Sequence, residues 1–240
     1  MRDDALLAHV VERVAAVAGV VAVTLGGSRA QGTHRPDSDW DFGVYYRGAL
    51  DTDGLRAIGW TGQVFEPGDW GGGVFNGGAW LDIDGRRVDL IYRDLDNVEG
   101  RWAEAREGRF SRELLMFYLA GIPTYVVVGE LALNRVLAGD LPRPDYPDAL
   151  AARAAPWWHE NALMTIDVGA RPAAARGDRI SATGLLAQAV LMEAHSRLAA
   201  RKEWVLNEKG LAVRAGLAML ADAVSAGDLV GVDAARAAVD

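Results

Sequence analysis

The sequence predicts an α+β chain in two parts, a sheet-bearing N-terminal domain over residues 1–145 and a helical C-terminal domain over residues 146–240. Three observations predict it. Short β-branched and aromatic runs bounded by glycine and turn residues crowd the first part. Residues 139–148 then hold Pro142, Pro144 and Pro147, a stretch that neither a helix nor a central strand accepts. Beyond it the chain becomes rich in Ala and Leu at helical spacing.

The elements follow in order. Residues 4–18 place Leu6, Leu7, Val10, Val11, Val14 and Val17 on one helical face, with Asp3 or Asp4 positioned as N-cap. Residues 20–25 read as a buried strand broken by Gly26-Gly27, and residues 40–46 as a second strand after a polar loop. Residues 79–83 and 86–92 flank Asp84-Gly85, a two-residue hairpin turn. Residues 94–107 read as a helix. Within 110–137, residues 125–128 favour a strand and 130–137 a helix. Helices are expected at 149–168, 180–201, 209–225 and 230–238, and the glycines between 71 and 78 form a loop.

Composition excludes several classes. The formal charge is −8, whereas a protein that tracks a phosphate backbone needs a basic stripe, so nucleic acid is an unlikely partner and a cationic small molecule a compatible one. Without cysteine there is neither disulfide nor thiolate metal site. No apolar run is long enough to cross a bilayer, and the acidic start, Met1-Arg2-Asp3-Asp4, is unlike a secretory leader; a cytoplasmic location is the expectation.

The chemistry concentrates in Leu25-Gly26-Gly27-Ser28, a ten-residue spacer, and Asp39-Trp40-Asp41-Phe42. Strand residues two apart share a face, so Asp39 and Asp41 project together while Trp40 and Phe42 turn into the core. Neighbouring carboxylates repel unless a cation lies between them, and oxygen donors without His or Cys suit Mg²⁺. With Asp84-Gly85 as the turn, Val88 and Leu90 face one side and Asp89 the other. If its strand lies beside that of Asp39, three carboxylates converge, a set able to hold two metal ions roughly 4 Å apart across an in-line phosphoryl displacement. Gly26-Gly27 permits a tight turn whose N–H groups form a nest for triphosphate oxygens; Ser28 is placed to cap the following short helix and to donate its hydroxyl. Arg29 can neutralise phosphate, and Ser38 can donate likewise.

This pattern, together with the later Val88-Asp89-Leu90, resembles the DNA polymerase β-like nucleotidyltransferase superfamily over residues 20–92. The two-part architecture further resembles the aminoglycoside nucleotidyltransferases. The resemblance implies a mixed sheet with flanking helices followed by a helical bundle that closes on substrate. It implies transfer of a nucleoside monophosphate, AMP from ATP, to a hydroxyl of an aminoglycoside-type antibiotic, hence a role in antibiotic resistance. Asp39 and Asp41 would ligate Mg²⁺, with Asp89 as third ligand or general base, and Gly27 and Ser28 would hold the triphosphate. A lysine of the helical domain would reach the phosphates; Lys209 is first choice and Lys202, the only other lysine, second.

Other features have plainer readings. Glu130 reads as a helix cap, Trp157 and Trp158 as packing, and His195 as structural. Two rival functions keep the fold: a toxin–antitoxin type enzyme modifying protein or tRNA, and a non-catalytic nucleotide-binding regulator. Loss of a metal carboxylate would point to the regulator, and all three candidates are present.

Overall fold

The computed structural model describes all 240 residues. Helix α1 (Asp3–Ala15) buries Leu6, Val10 and Val14, one stripe at i, i+4 and i+8. Its N-cap is Arg2, without a side-chain cap; Asp3 and Asp4 sit in the first turn, where carboxylates favour the helix dipole, and Asp4 Oδ1 accepts from Ala5 N at 2.9 Å. Strand β1 (Val20–Leu25) runs into the single-turn α2 (Gly27–Ala30). Gly26 is the N-cap of α2, so Ser28 lies inside the turn and does not cap it. Next come β2 (Trp40–Tyr46), α3 (Thr52–Ala57), β3 (Thr61–Val64), β4 (Gly78–Ile83), β5 (Arg86–Asp94) and α4 (Leu95–Arg106). A two-strand ribbon, β6 (Arg112–Glu113) and β7 (Ile122–Pro123), leads to α5 (Val126–Leu133) and β8 (Arg135–Ala138).

Residues 126–138 keep helix over 130–133 as the sequence suggests, but the helix begins at Val126, where the valines suggest strand, and residues 135–138 form a strand in place of helix. Val126, Val127, Val128 and Leu131 are all buried, and this burial overrides the β-propensity of the valine run. Glu130, expected as a cap, stands inside α5 and accepts from Arg93 twice, at 2.5 and 2.8 Å.

The helical stretch continues with α6 (Asp148–Met164), a wide π-type segment at Thr165–Ala170, α7 (Arg171–Ala175) and α8 (Arg179–Ala200). The helix expected over 209–225 is instead α9 (Leu211–Arg214), a 3₁₀ turn at Ala218–Leu220 and α10 (Ala221–Ala226), interrupted where Gly216 takes φ +73°. The chain ends on α11 (Leu229–Val239).

Two units result: Met1–Trp102 with Val127–Asp145, and Ala103–Val126 with Tyr146–Asp240. The proline-rich stretch marks one boundary at 145, whereas residues 103–126 group with the later helices. In the first unit the strands order β3-β4-β5-β2-β1-β8. Only β2 and β5 run parallel; the other neighbours are antiparallel, so the sheet is mixed. One sheet face buries Val23, Leu25, Trp40, Phe42, Val44, Val88 and Leu90 together with the α1 stripe. In the second unit Trp158 is fully buried, stacked 4.5 Å from His195, and its Nε1 donates to Tyr125 Oη at 3.1 Å. Burial pushes His195 down to about 3, so the ring stays neutral and serves packing.

Candidate active site

The site grows from the sheet register. Parallel pairing sets Asp41 of β2 directly beside Asp89 of β5, and antiparallel pairing sets Trp80 of β4 on the far side of Asp89 and Gln63 of β3 beyond it. Alternation then puts four side chains abreast on the face opposite the α1-covered core: Gln63, Trp80, Asp89, Asp41. A second row holds Thr61, Asp82 and Arg87, and ends on Asp39, one residue ahead of β2. Arg87 Nε lies 2.7 Å from Asp39 Oδ1.

The glycine turn borders the first row. Gly26 N donates to Asp41 O at 2.8 Å, which ties the turn to β2. Gly27 takes φ +58°, and a Cβ there would stand 1.9 Å from Asp41 Oδ2. Glycine is therefore required twice at position 27, for its backbone and for the carboxylate beside it. Gly26 is not so constrained; a Cβ would meet Asp41 no closer than 3.6 Å.

Arg29 takes a part that the sequence did not indicate. Its side chain is only 7% exposed. The guanidinium donates from Nη2 to Ser38 O at 2.9 Å and from Nε to Ser38 O and Asp39 O, and lies 3.9 Å over the Trp40 ring. These bonds fix the loop that delivers Asp39 and commit the Nε and Nη2 donors to backbone carbonyls. Ser38 also braces the loop, its Oγ accepting from Arg35 N at 3.0 Å. Ser28 lies half-buried in α2. Lys209 is exposed in the second unit, its N–H donating to Asn207 Oδ1 at 2.9 Å, and Lys202 pairs with Asp148 at 2.6 Å.

Electrostatics single out Asp89. Burial, then the charges of Asp41 and Asp39, push its carboxyl up to about 6, with Arg87 pulling the other way. A cavity of about 440 Å³ opens over it, lined also by Asp39, Thr61, Trp80, Asp82 and Arg87. The sequence gives Trp80 no role and leaves Asp82 to the hairpin, although their alternation with Ala79, Leu81 and Ile83 puts them on the Asp89 face.

The residues suit a divalent cation in their chemistry. All donors are carboxylate oxygens, and like charge stands beside like charge. Asp39 Oδ1 is buried without a hydrogen-bond partner, since the close approach of Arg87 lacks hydrogen-bond alignment. The carboxylates are not drawn into a finished cage: no group of three or more His, Asp or Glu side chains is arranged to hold a metal ion. Arg87 lies against Asp39, while the sheet register sets Asp41 beside Asp89.

Residues 7–97, the segment that builds β1, the glycine turn, β2 and the β4–β5 hairpin, match the family model described as nucleotidyltransferase domain. No curated protein matches the chain. Among solved structures, a nucleotidyltransferase-like protein from Exiguobacterium sibiricum is similar at 11% identity, covering 95% of this chain and 71% of that one with a TM-score of 0.41, a likeness too low to bear on function. No helix is long and apolar enough to cross a membrane. The family implies a nucleoside triphosphate and a divalent metal ion. Residues 7–97 of this chain are accordingly a nucleotidyltransferase domain of the DNA polymerase β-like superfamily.

Proposed function

We propose that this chain transfers AMP from ATP, with Mg²⁺, to a hydroxyl of a small cationic acceptor of the aminoglycoside kind. One observation carries the reading: Asp41 and Asp89 stand abreast on parallel strands, with the Gly27 turn against the Asp41 carboxylate. Backbone N–H groups of Gly27 and Ser28, with the Ser28 hydroxyl, would bind the triphosphate. Asp39, Asp41 and Asp89 would hold up to two metal ions, which when bound supply positive charge to the phosphates. Asp89, where it serves as base in place of third ligand, takes the acceptor proton as the hydroxyl oxygen bonds to the α-phosphorus. The bond from that phosphorus to the bridging oxygen breaks, and pyrophosphate leaves. Arg29 and Ser38 act indirectly by fixing the loop that carries Asp39.

The contact of Arg87 with Asp39 favours a second reading, a nucleotide-binding regulator that performs no transfer. A pyrophosphate-release screen of ATP, GTP, CTP and UTP against aminoglycosides and lincosamides separates the two. The proposal expects release with ATP and an aminoglycoside, abolished in Asp41→Asn. ATP binding without release for any acceptor supports the regulator, and undiminished turnover in Asp41→Asn refutes the assignment of that carboxylate.

A further inference from the structure

The β3–β4 side of the cavity has no part in the triphosphate chemistry. Trp80 of β4 is 53% exposed although it is large and apolar. Its ring is pinned: Trp70 stacks on it at 5.5 Å and 24°, and Phe65 meets it edge-on at 4.7 Å. A ring held this way loses little freedom when a ligand covers its open side. Beside it Asp82 lines the same cavity, with Oδ1 accepting from Gly85 N at 2.9 Å and so holding the carboxylate in place. The charged lining consists of Asp39, Asp82 and Asp89 against Arg87 alone, and Arg87 already lies against Asp39.

From this arrangement, and resting on the transferase reading above, we infer that Trp80 and Asp82 form the acceptor subsite, selecting a cationic ring compound whose apolar ring face stacks on the indole and whose ammonium group pairs with Asp82. Register supplies the link to chemistry. Trp80 is the cross-strand partner of Asp89, so a ring lying on the indole brings its hydroxyls beside the Asp89 carboxylate. The pinned aromatic stack and the charge balance of the lining are independent observations, and they select different parts of one ligand.

The test is calorimetric binding of kanamycin to the full chain without metal or nucleotide, at low ionic strength, where exposed ion pairs are least screened. Asp82→Asn keeps the Gly85 contact through its amide oxygen and loses only charge. Trp80→Ala removes the platform, whereas Trp80→Phe keeps an aromatic face. Asp82→Asn and Trp80→Ala should each weaken binding by about tenfold or more, with Trp80→Phe close to wild type and melting temperatures of Asp82→Asn and Trp80→Phe unchanged. No binding by wild type, or binding by both Asp82→Asn and Trp80→Ala at wild-type strength, overturns the inference. The proposed transfer fails in a different way: kanamycin binds as described, yet no nucleotide releases pyrophosphate with any acceptor.

Discussion

Gly27 is where a single residue matters most to the site. A side chain there forces a residue with Cβ into the left-handed region, costing about 1–2 kcal/mol, and drives the Asp41 carboxylate from its place. Gly27→Ala should therefore melt a few degrees lower and, if Asp41 holds the metal as proposed, lose roughly 100-fold in turnover, the size expected when a site is misplaced by an ångström. Gly26→Ala, with ordinary clearance around its Cβ, should keep far more activity in the same assay. Asp89 gives a pH signature. Its folded-state value, about 6, lies above the ordinary carboxylate value of 3.8, so between these pH values the folded chain binds more protons than the unfolded one. Its contribution is thus neutral below about pH 3.8, becomes destabilising as pH rises to about 6, and stays so above. Asp89→Asn should raise the melting temperature at pH 7.5 while losing transfer, and the stability gain should vanish near pH 3.5. An equal gain at both pH values would contradict the electrostatic origin. The carboxylates themselves were legible in the sequence through period-two alternation; the part of Arg29 was not, because its carbonyl partners come from a loop nine and ten residues away.

At the scale of elements, strands announced themselves where burial is one-sided and the turn chemistry strong. The strand from Val20 to Leu25 and the Asp84-Gly85 hairpin are the clear cases. Strand β3 was missed because its residues are mostly exposed on a sheet edge and show no apolar alternation. The start of α5, residues 126–128, reads as strand because its reason for being helical lies elsewhere in the chain. Arg93, 3% exposed on β5, needs a carboxylate, and Glu130 supplies it from α5, an interaction across 37 positions that local pattern cannot show. The pair covers the Arg93 end of the face whose other end carries Asp89. Arg93→Ala should destabilise by about 3–5 kcal/mol in chemical denaturation, since it leaves Glu130 without its charge partner, while the paired exchange Arg93→Met with Glu130→Leu should recover most of that loss. Equal losses for single and double variants would show that the ion pair is not what fastens α5.

The whole chain is legible as two parts, but their contents are not. The proline-rich stretch marks one crossing between units near residue 145, whereas nothing in the sequence of 103–126 shows that it joins the later helices. Its aromatic residues explain the grouping: Phe110 packs on Tyr125 and Trp157, and Tyr125 accepts from Trp158. A fragment of residues 1–145 should consequently retain strand signal by circular dichroism yet bind a hydrophobic dye strongly, because Phe110 and Tyr125 lose their tryptophan partners; weak dye binding would argue that 103–126 is self-sufficient.

The most direct test of the central claim is a Mn²⁺ titration of the full chain followed by electron paramagnetic resonance. If Asp41 and Asp89, side by side at the glycine turn, are what holds the cation, wild type binds and Asp41→Asn and Asp89→Asn each bind about tenfold weaker or worse, with Asp82→Asn near wild type. Equal affinity in wild type, Asp41→Asn and Asp89→Asn, or no binding by wild type, would contradict it.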